Sequence, residues 1–197
     1  MLSRILLPLG IAGYLVASIN FSMAAETVPL KSFKFKDIGG TVHAPFGNKK
    51  QKAIVVIFIS TDCPIANYYQ PSLSRMAKQF KRDGISFFLV HPDSDLSVKE
   101  AEQHAKEYKI AATLVLDKTH AWVKMLKAKR TPEAFMVNRQ GDIIYRGRID
   151  NTFVDLGKKR RAGIQYDLKN AVQNVVDGQP IKTAETKAIG CFIPKLR

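Results

Sequence analysis

A continuous apolar run of β-branched and aromatic residues, Ile54 to Ile59, breaks at Ser60, Thr61 and Asp62 and is followed at once by Cys63 and Pro64. Such a run suits a strand buried on both faces. Beyond Pro64, apolar residues recur at Ile65, Tyr69, Leu73, Met76 and Phe80, which is one face of a helix. Proline is tolerated in the first helical turn, where its missing N–H has no intrahelical partner to lose. The stretch therefore predicts a buried strand feeding a helix over Pro64 to Arg82, with Cys63 at the junction. At that place the unpaired N–H groups and the helix dipole favour a thiolate.

The rest of the chain alternates in the same way. Short strands and turns fill Thr27 to Lys52, with Gly39, Gly40 and the Phe46-Gly47-Asn48 turn as punctuation. Ile85 to Val90 reads as a second buried strand, and Ser97 with Glu100 as a capping box that starts a helix bearing Ala101, Ala105 and Tyr108. Thr113 to Leu116 is a strand. Thr119 to Ala128 is a helix carrying Trp122, Met125 and Leu126. Glu133 to Val137 and Asp142 to Ile149 form a hairpin around Asn138 to Gly141. After a basic loop, Asp167 is expected to cap a last helix that Gly178 stops. This order predicts one layered α/β domain with an antiparallel hairpin at one edge of a mixed sheet.

The chain opens with Met1-Leu2-Ser3-Arg4, then an apolar run from Ile5 to about Ile19 and the small-x-small pattern Ser22-Met23-Ala24. That reads as an export signal at 1–25, leaving a domain at 26–185 and a tail at 186–197. Membrane contact is expected only through this segment before cleavage, and the mature protein is expected to be periplasmic or secreted. The net charge of +14 falls only to +13 without Arg4. Outside the cytoplasm such a charge does not imply nucleic acid, and Lys158 to Arg161 reads as a solvated basic loop. His43, His91, His104 and His120 lack metal-ligand spacing and are expected at the surface or in loops, so no metal or cofactor is expected.

Strand and helix order, with a Cys at the first strand–helix junction, resembles the thioredoxin fold. Pro71, eight residues after Cys63, stands where that family has a kink proline in its active-site helix, and Thr131-Pro132 before Glu133 to Val137 matches its cis-proline loop. The Asp62-Cys63-Pro64-Ile65-Ala66 segment and the Gly190-Cys191-Phe192-Ile193 tail resemble the bacterial redoxin branch grouped with AhpC/TSA proteins. The resemblance implies a central mixed sheet with helices on both faces. It also implies a substrate held by Thr131 and Pro132 beside Asp62, Cys63 and Pro64, and an unidentified thiol as electron donor. Several family residues are replaced. Ala66 stands in place of the second Cys of Cys-x-x-Cys, and Asn67 in place of that of Cys-x-x-x-Cys. Ser60, Val56 and Pro132 occupy the Thr, Pro and Arg positions of peroxiredoxins.

Cys63 thus has three readings: a reactive thiol, half of a static disulfide, or an unpaired inert residue. Asp62 opposes thiolate formation if its carboxylate faces the sulfur, and Arg130 is the expected cation to offset it. Cys191, 128 residues away, is the only other cysteine. Gly190 would let its tail approach another backbone closely. As a static link, a loop this long would remove about 4–5 kcal/mol of denatured-state entropy. As a reactive pair, Cys63 attacks a peroxide or disulfide and Cys191 resolves the product. The competing function is a non-enzymatic thioredoxin-fold module stapled by Cys63 and Cys191.

Overall fold

The computed structural model describes residues 33–46 and 49–196. The expected export segment at 1–25 lies outside the described residues, as do positions 47 and 48 of the expected turn. Two short antiparallel strands, β1 (Phe35–Lys36) and β2 (Val42–His43), open the fold. There follow β3 (Ala53–Phe58), α1 (Pro64–Phe80), β4 (Ile85–His91), α2 (Val98–Glu107), β5 (Thr113–Leu116) and α3 (Ala121–Leu126). The chain continues through β6 (Arg130–Thr131), β7 (Glu133–Asn138), β8 (Ile143–Gly147), β9 (Phe153–Asp155), β10 (Lys158–Lys159), α4 (Asp167–Val176) and β11 (Cys191–Phe192).

Five of these strands form the central sheet in the order β5-β4-β3-β7-β8. β3, β4 and β5 are parallel, while β7 and β8 run antiparallel as the expected hairpin. β3 is the middle strand, and none of its side chains is exposed. Its alternate residues therefore enter two cores. Ala53, Val55 and Ile57 pack with α1 residues Tyr69 and Leu73 and with Leu168 and Val172 of α4. Ile54, Val56 and Phe58 pack with Trp122 and Leu126 of α3 on the other face. Period-two alternation with apolar residues in both registers is what makes a strand fit only at the centre of such a sandwich. The mixed α/β sheet with helices on both faces is as expected.

Three helices differ at an end from the sequence reading. α1 stops at Phe80, two residues short of Arg82. α3 is shorter than Thr119 to Ala128 because His120 and Lys127 at its ends both adopt left-handed backbone, with φ of 55° and 53°. α4 is not capped by Asp167: Tyr166 is the N-cap, and the Asp167 carboxylate is taken by Arg148 at 2.7 Å. In the first turn that acid still faces the positive end of the helix dipole. The capping box of Ser97 and Glu100 is present as expected, and α1 continues through Pro71.

Candidate active site

Cys63 is the N-cap of α1, with Pro64 in the first turn. β3 delivers it to the end of the sheet, where the loop Ser60–Asp62 turns the chain into the helix. The thiol is 1% exposed, and its Sγ–H donates to the carbonyl of Thr131 at 2.9 Å. The Thr131–Pro132 bond is cis, as expected, and both residues are buried. A carbonyl at the end of the hairpin thus meets the sulfur at the end of the central strand.

The tail closes the site. β11 pairs antiparallel with β6, placing Cys191 opposite Thr131 and Phe192 opposite Arg130. The approach is close because residue 190 is glycine: a Cβ there would lie 2.1 Å from the Thr131 oxygen. Ile193 N–H donates to the Lys129 carbonyl at 3.0 Å. Upstream, Thr186 is fixed to β8 through its N–H to the Arg146 carbonyl and its hydroxyl beside Tyr145. The tail is therefore tied at Thr186 and again at Gly190 to Ile193. Its second tie is two residues of strand pairing.

Both cysteines are reduced in this arrangement. Their thiols have opposite tendencies. Burial pushes Cys63 up, but the Cys191 thiol, the Ala66 and Cys191 backbone N–H groups and Thr131 together hold it below the usual thiol value. Burial, the hydrogen bond with Cys63 and the Cys63 charge push Cys191 up to about 11. The stable ionised form is therefore a Cys63 thiolate with Cys191 as a neutral donor to it.

Several residues sit differently from the sequence expectation. Arg130 is not the cation of the thiolate. Its guanidinium donates to the Gly190 carbonyl at 2.9 Å and lies 4.1 Å over the Phe192 ring, so it clasps the tail. Asp62 is exposed and accepts from the Thr61 hydroxyl, and it does not act on the Cys63 sulfur. Pro64 is exposed at the rim. The expectation that the histidines lie at the surface or in loops fails for two of the four: His91 is buried in β4 and His104 in α2, while His120 is buried in the loop before α3.

These histidines support the loop from behind. The Asn67 amide donates to the Thr61 carbonyl at 2.7 Å, and its oxygen is 2.9 Å from His104 Nε2. The His91 ring lies 5.2 Å from that of His104, and His120 Nε2 is 2.7 Å from the Pro92 carbonyl. Burial, with a smaller contribution from His104, lowers His91 to about 3, and burial lowers His104 as well. Both rings are therefore neutral at pH 7. A usable signal was present: His104 shares the helical spacing of Ala101, Ala105 and Tyr108, and His91 ends an uninterrupted buried strand. Among the described residues, no group of three or more His, Cys, Asp or Glu could hold a metal ion, and no helix is long and apolar enough to cross a membrane.

Residues 24–157 match the family model described as Redoxin. No curated protein matches. An uncharacterized conserved protein from Geobacillus kaustophilus is similar in structure, at 22% identity and a TM-score of 0.73, over 87% of this chain and 92% of its own. A hypothetical protein from Sinorhizobium meliloti gives 24% identity and a TM-score of 0.71, over 87% and 94%. A secreted Mycobacterium tuberculosis disulfide oxidoreductase homologous to E. coli DsbE gives 19% identity and a TM-score of 0.51, over 76% and 96%. At these identities the likeness is one of fold.

Proposed function

The chain belongs to the Redoxin family, and from that premise we propose that it is an exported thiol–disulfide oxidoreductase in which Cys63 attacks and Cys191 resolves. The observation that carries this reading is the meeting of both sulfur-bearing residues at the Thr131 carbonyl, one from a helix N-terminus and one from a paired strand. Disulfide exchange is favoured over peroxide reduction by two features. Arg130 is occupied with the tail instead of the thiolate, and the Thr131 edge already accepts an extended chain carrying a cysteine. A substrate polypeptide would take the same edge once the tail lifts.

In the forward step the Cys63 thiolate attacks one sulfur of a substrate disulfide. A Cys63–substrate bond forms, the substrate S–S bond breaks, and the other substrate sulfur leaves with the electron pair and takes a proton. Neutralising Cys63 removes one of the influences that raise Cys191, so Cys191 gives up its proton more readily. Its thiolate attacks Cys63 Sγ, and the second substrate thiolate leaves. Two external thiols, or one dithiol, then reduce the Cys63–Cys191 pair to two thiols and leave as a disulfide. No cofactor enters these steps, and neither does a nucleic acid. Residues 1–25 act as a cleaved leader, 26–185 as the redoxin domain and 186–197 as the resolving tail.

The 1% exposure of Cys63 favours one competing reading, a static staple, and variants separate the two. With oxidised glutathione, Cys191→Ser is expected to accumulate one glutathione per chain on Cys63, read by intact mass. The wild type is expected to pass through to the internal disulfide, and Cys63→Ser to lose the fast first step. If neither variant differs from the wild type in thiol reactions but both melt earlier, the staple reading holds and the enzyme reading fails.

A further inference from the structure

Cys191 borders two hollows. One, of about 340 Å³, lies on the Cys63 side between Ser60, Asp93 and Phe192. The other, of about 430 Å³, opens away from Cys63 and lies between α1 and the β9–β10 hairpin, lined by Ile65, Tyr68, Phe153, Leu156 and Lys159. Its floor is formed by the buried Ile65 and Phe153, and two apolar side chains stand open to solvent at its edge: Leu156 is 62% exposed and Tyr68 48% exposed. Lys159 Nζ lies 3.9 Å over the Tyr68 ring. Lys158, Arg160 and Arg161, all exposed, continue the basic rim. Across Cys191, Phe192 is 74% exposed. A cysteine at the border of a cleft walled by apolar side chains, with a cationic rim on one side and an aromatic on the other, has the make-up of a protein docking site.

Resting on the proposed redox function, we infer that this cleft docks the electron donor: an acidic protein thiol that inserts an apolar side chain beside its reactive cysteine. Cys191 is the accessible half of the pair, whereas Cys63 is sealed. The donor thiolate attacks Cys191 Sγ, forming a donor–Cys191 bond. The Cys63–Cys191 bond breaks and its electron pair leaves on Cys63, the sulfur faced by the Ala66 N–H. A second donor thiol then attacks its own mixed-disulfide sulfur, and Cys191 leaves as a thiolate that takes a proton. The donor ends as a disulfide and the pair as two thiols. The charge fits an acidic partner, since the basic rim adds to a chain whose net charge of +14 falls only to +13 without Arg4. A lipid surface is the poorer fit, because a bilayer would cover the rim without sending a group down to the sulfur. The cluster read from sequence as a solvated basic loop thereby acquires a partner.

The test uses the oxidised full chain and four reductants, with rates read by alkylation quench and mass spectrometry. These are a dithiol peptide with Phe beside its cysteine and acidic flanks, the same peptide with lysine flanks, the acidic peptide with Ala for Phe, and 2-mercaptoethanol. Each peptide rate is divided by the same protein's rate with 2-mercaptoethanol. The acidic Phe peptide is expected to exceed the lysine peptide by about tenfold or more at low ionic strength, with the advantage shrinking as salt is added. Lys158→Glu with Arg160→Glu and Arg161→Glu is expected to reverse that preference. Leu156→Ser is expected to remove the advantage of Phe over Ala. Equal rates for the acidic and lysine peptides, with 2-mercaptoethanol still reducing the pair, would overturn the docking inference and leave the redox reading standing. A pair that 2-mercaptoethanol cannot reduce would overturn both. Binding to phosphatidylglycerol vesicles that the charge reversals abolish, without any peptide preference, would overturn it in favour of a membrane surface.

Discussion

Cys63 and Cys191 meet at one carbonyl but are held there by different means. Cys63 stands between the fully buried β3 and a 17-residue helix, with a part-buried Asn67–His104 brace behind its loop. Cys191 stands on a two-residue strand clasped at the surface by Arg130 and Phe192. Thiol chemistry follows the same division: the rigid side holds the depressed thiol, and the peripheral side holds the thiol raised to about 11. Stability is not uniform across a fold, and elements with few buried contacts open first. Cys191 is thus placed where movement costs least, while Cys63 is placed where geometry is fixed, which suits the proposed roles of resolving and attacking thiol.

The largest expected effect comes from removing the close approach of the tail. Gly190→Val would put side-chain atoms against the Thr131 oxygen, where a Cβ alone lies at 2.1 Å. Overpacking of this kind costs about 1–3 kcal/mol. If it falls on the tail alone, Cys63 alkylation is expected to accelerate about five- to 150-fold, with the melting temperature little changed. Unchanged alkylation would show that the tail is not what seals Cys63.

Much of this division was legible in the sequence. The apolar run Ile54 to Ile59 and the Cys63-Pro64 step specify the rigid side through strand burial and helix-start chemistry, both of which are local. Thr131-Pro132 and Gly190 were legible as special backbone positions for the same reason. The orientation of Arg130 was not, because a long flexible side chain chooses among partners that only the tertiary fold brings near. The burial of His91 and His104 was missed because a histidine's own preference is weak, and the strand and helix that carry it decide its environment. Asp167 looked like a cap, but an arginine 19 residues earlier in the chain claimed it.

The rigid side should also respond to acid. A histidine whose folded pKa is depressed binds its proton more readily in the unfolded chain. The stability contributed by neutral His91 is therefore complete above about pH 6.5 and is lost as the pH falls from there toward about 3. One proton taken up on unfolding lowers stability by about 1.4 kcal/mol per pH unit. Urea titrations between pH 7 and 4 are expected to show that slope, steepened by His104, and His91→Phe is expected to flatten it. Equal slopes in the two proteins would mean that the brace does not titrate as its burial requires.

A smaller effect is expected on the peripheral side. Arg130→Ala removes the bond to the Gly190 carbonyl and the contact with Phe192. A part-exposed interaction of this kind contributes about 1 kcal/mol, so Cys63 alkylation should rise about fivefold with the pH midpoint of its reactivity unmoved. A midpoint shifted upward would instead make Arg130 the cation of the thiolate and would weaken the contrast between the two sides.

A working pair of cysteines and a fixed staple differ in potential. Equilibrating the full chain in graded glutathione buffers, then alkylating and weighing it, gives the midpoint potential of the Cys63–Cys191 couple. A working pair is expected to show a midpoint above about −300 mV, with both thiols free at the reducing end and one internal disulfide at the oxidising end. A midpoint below that value, or no internal disulfide at any buffer ratio, would contradict the working pair.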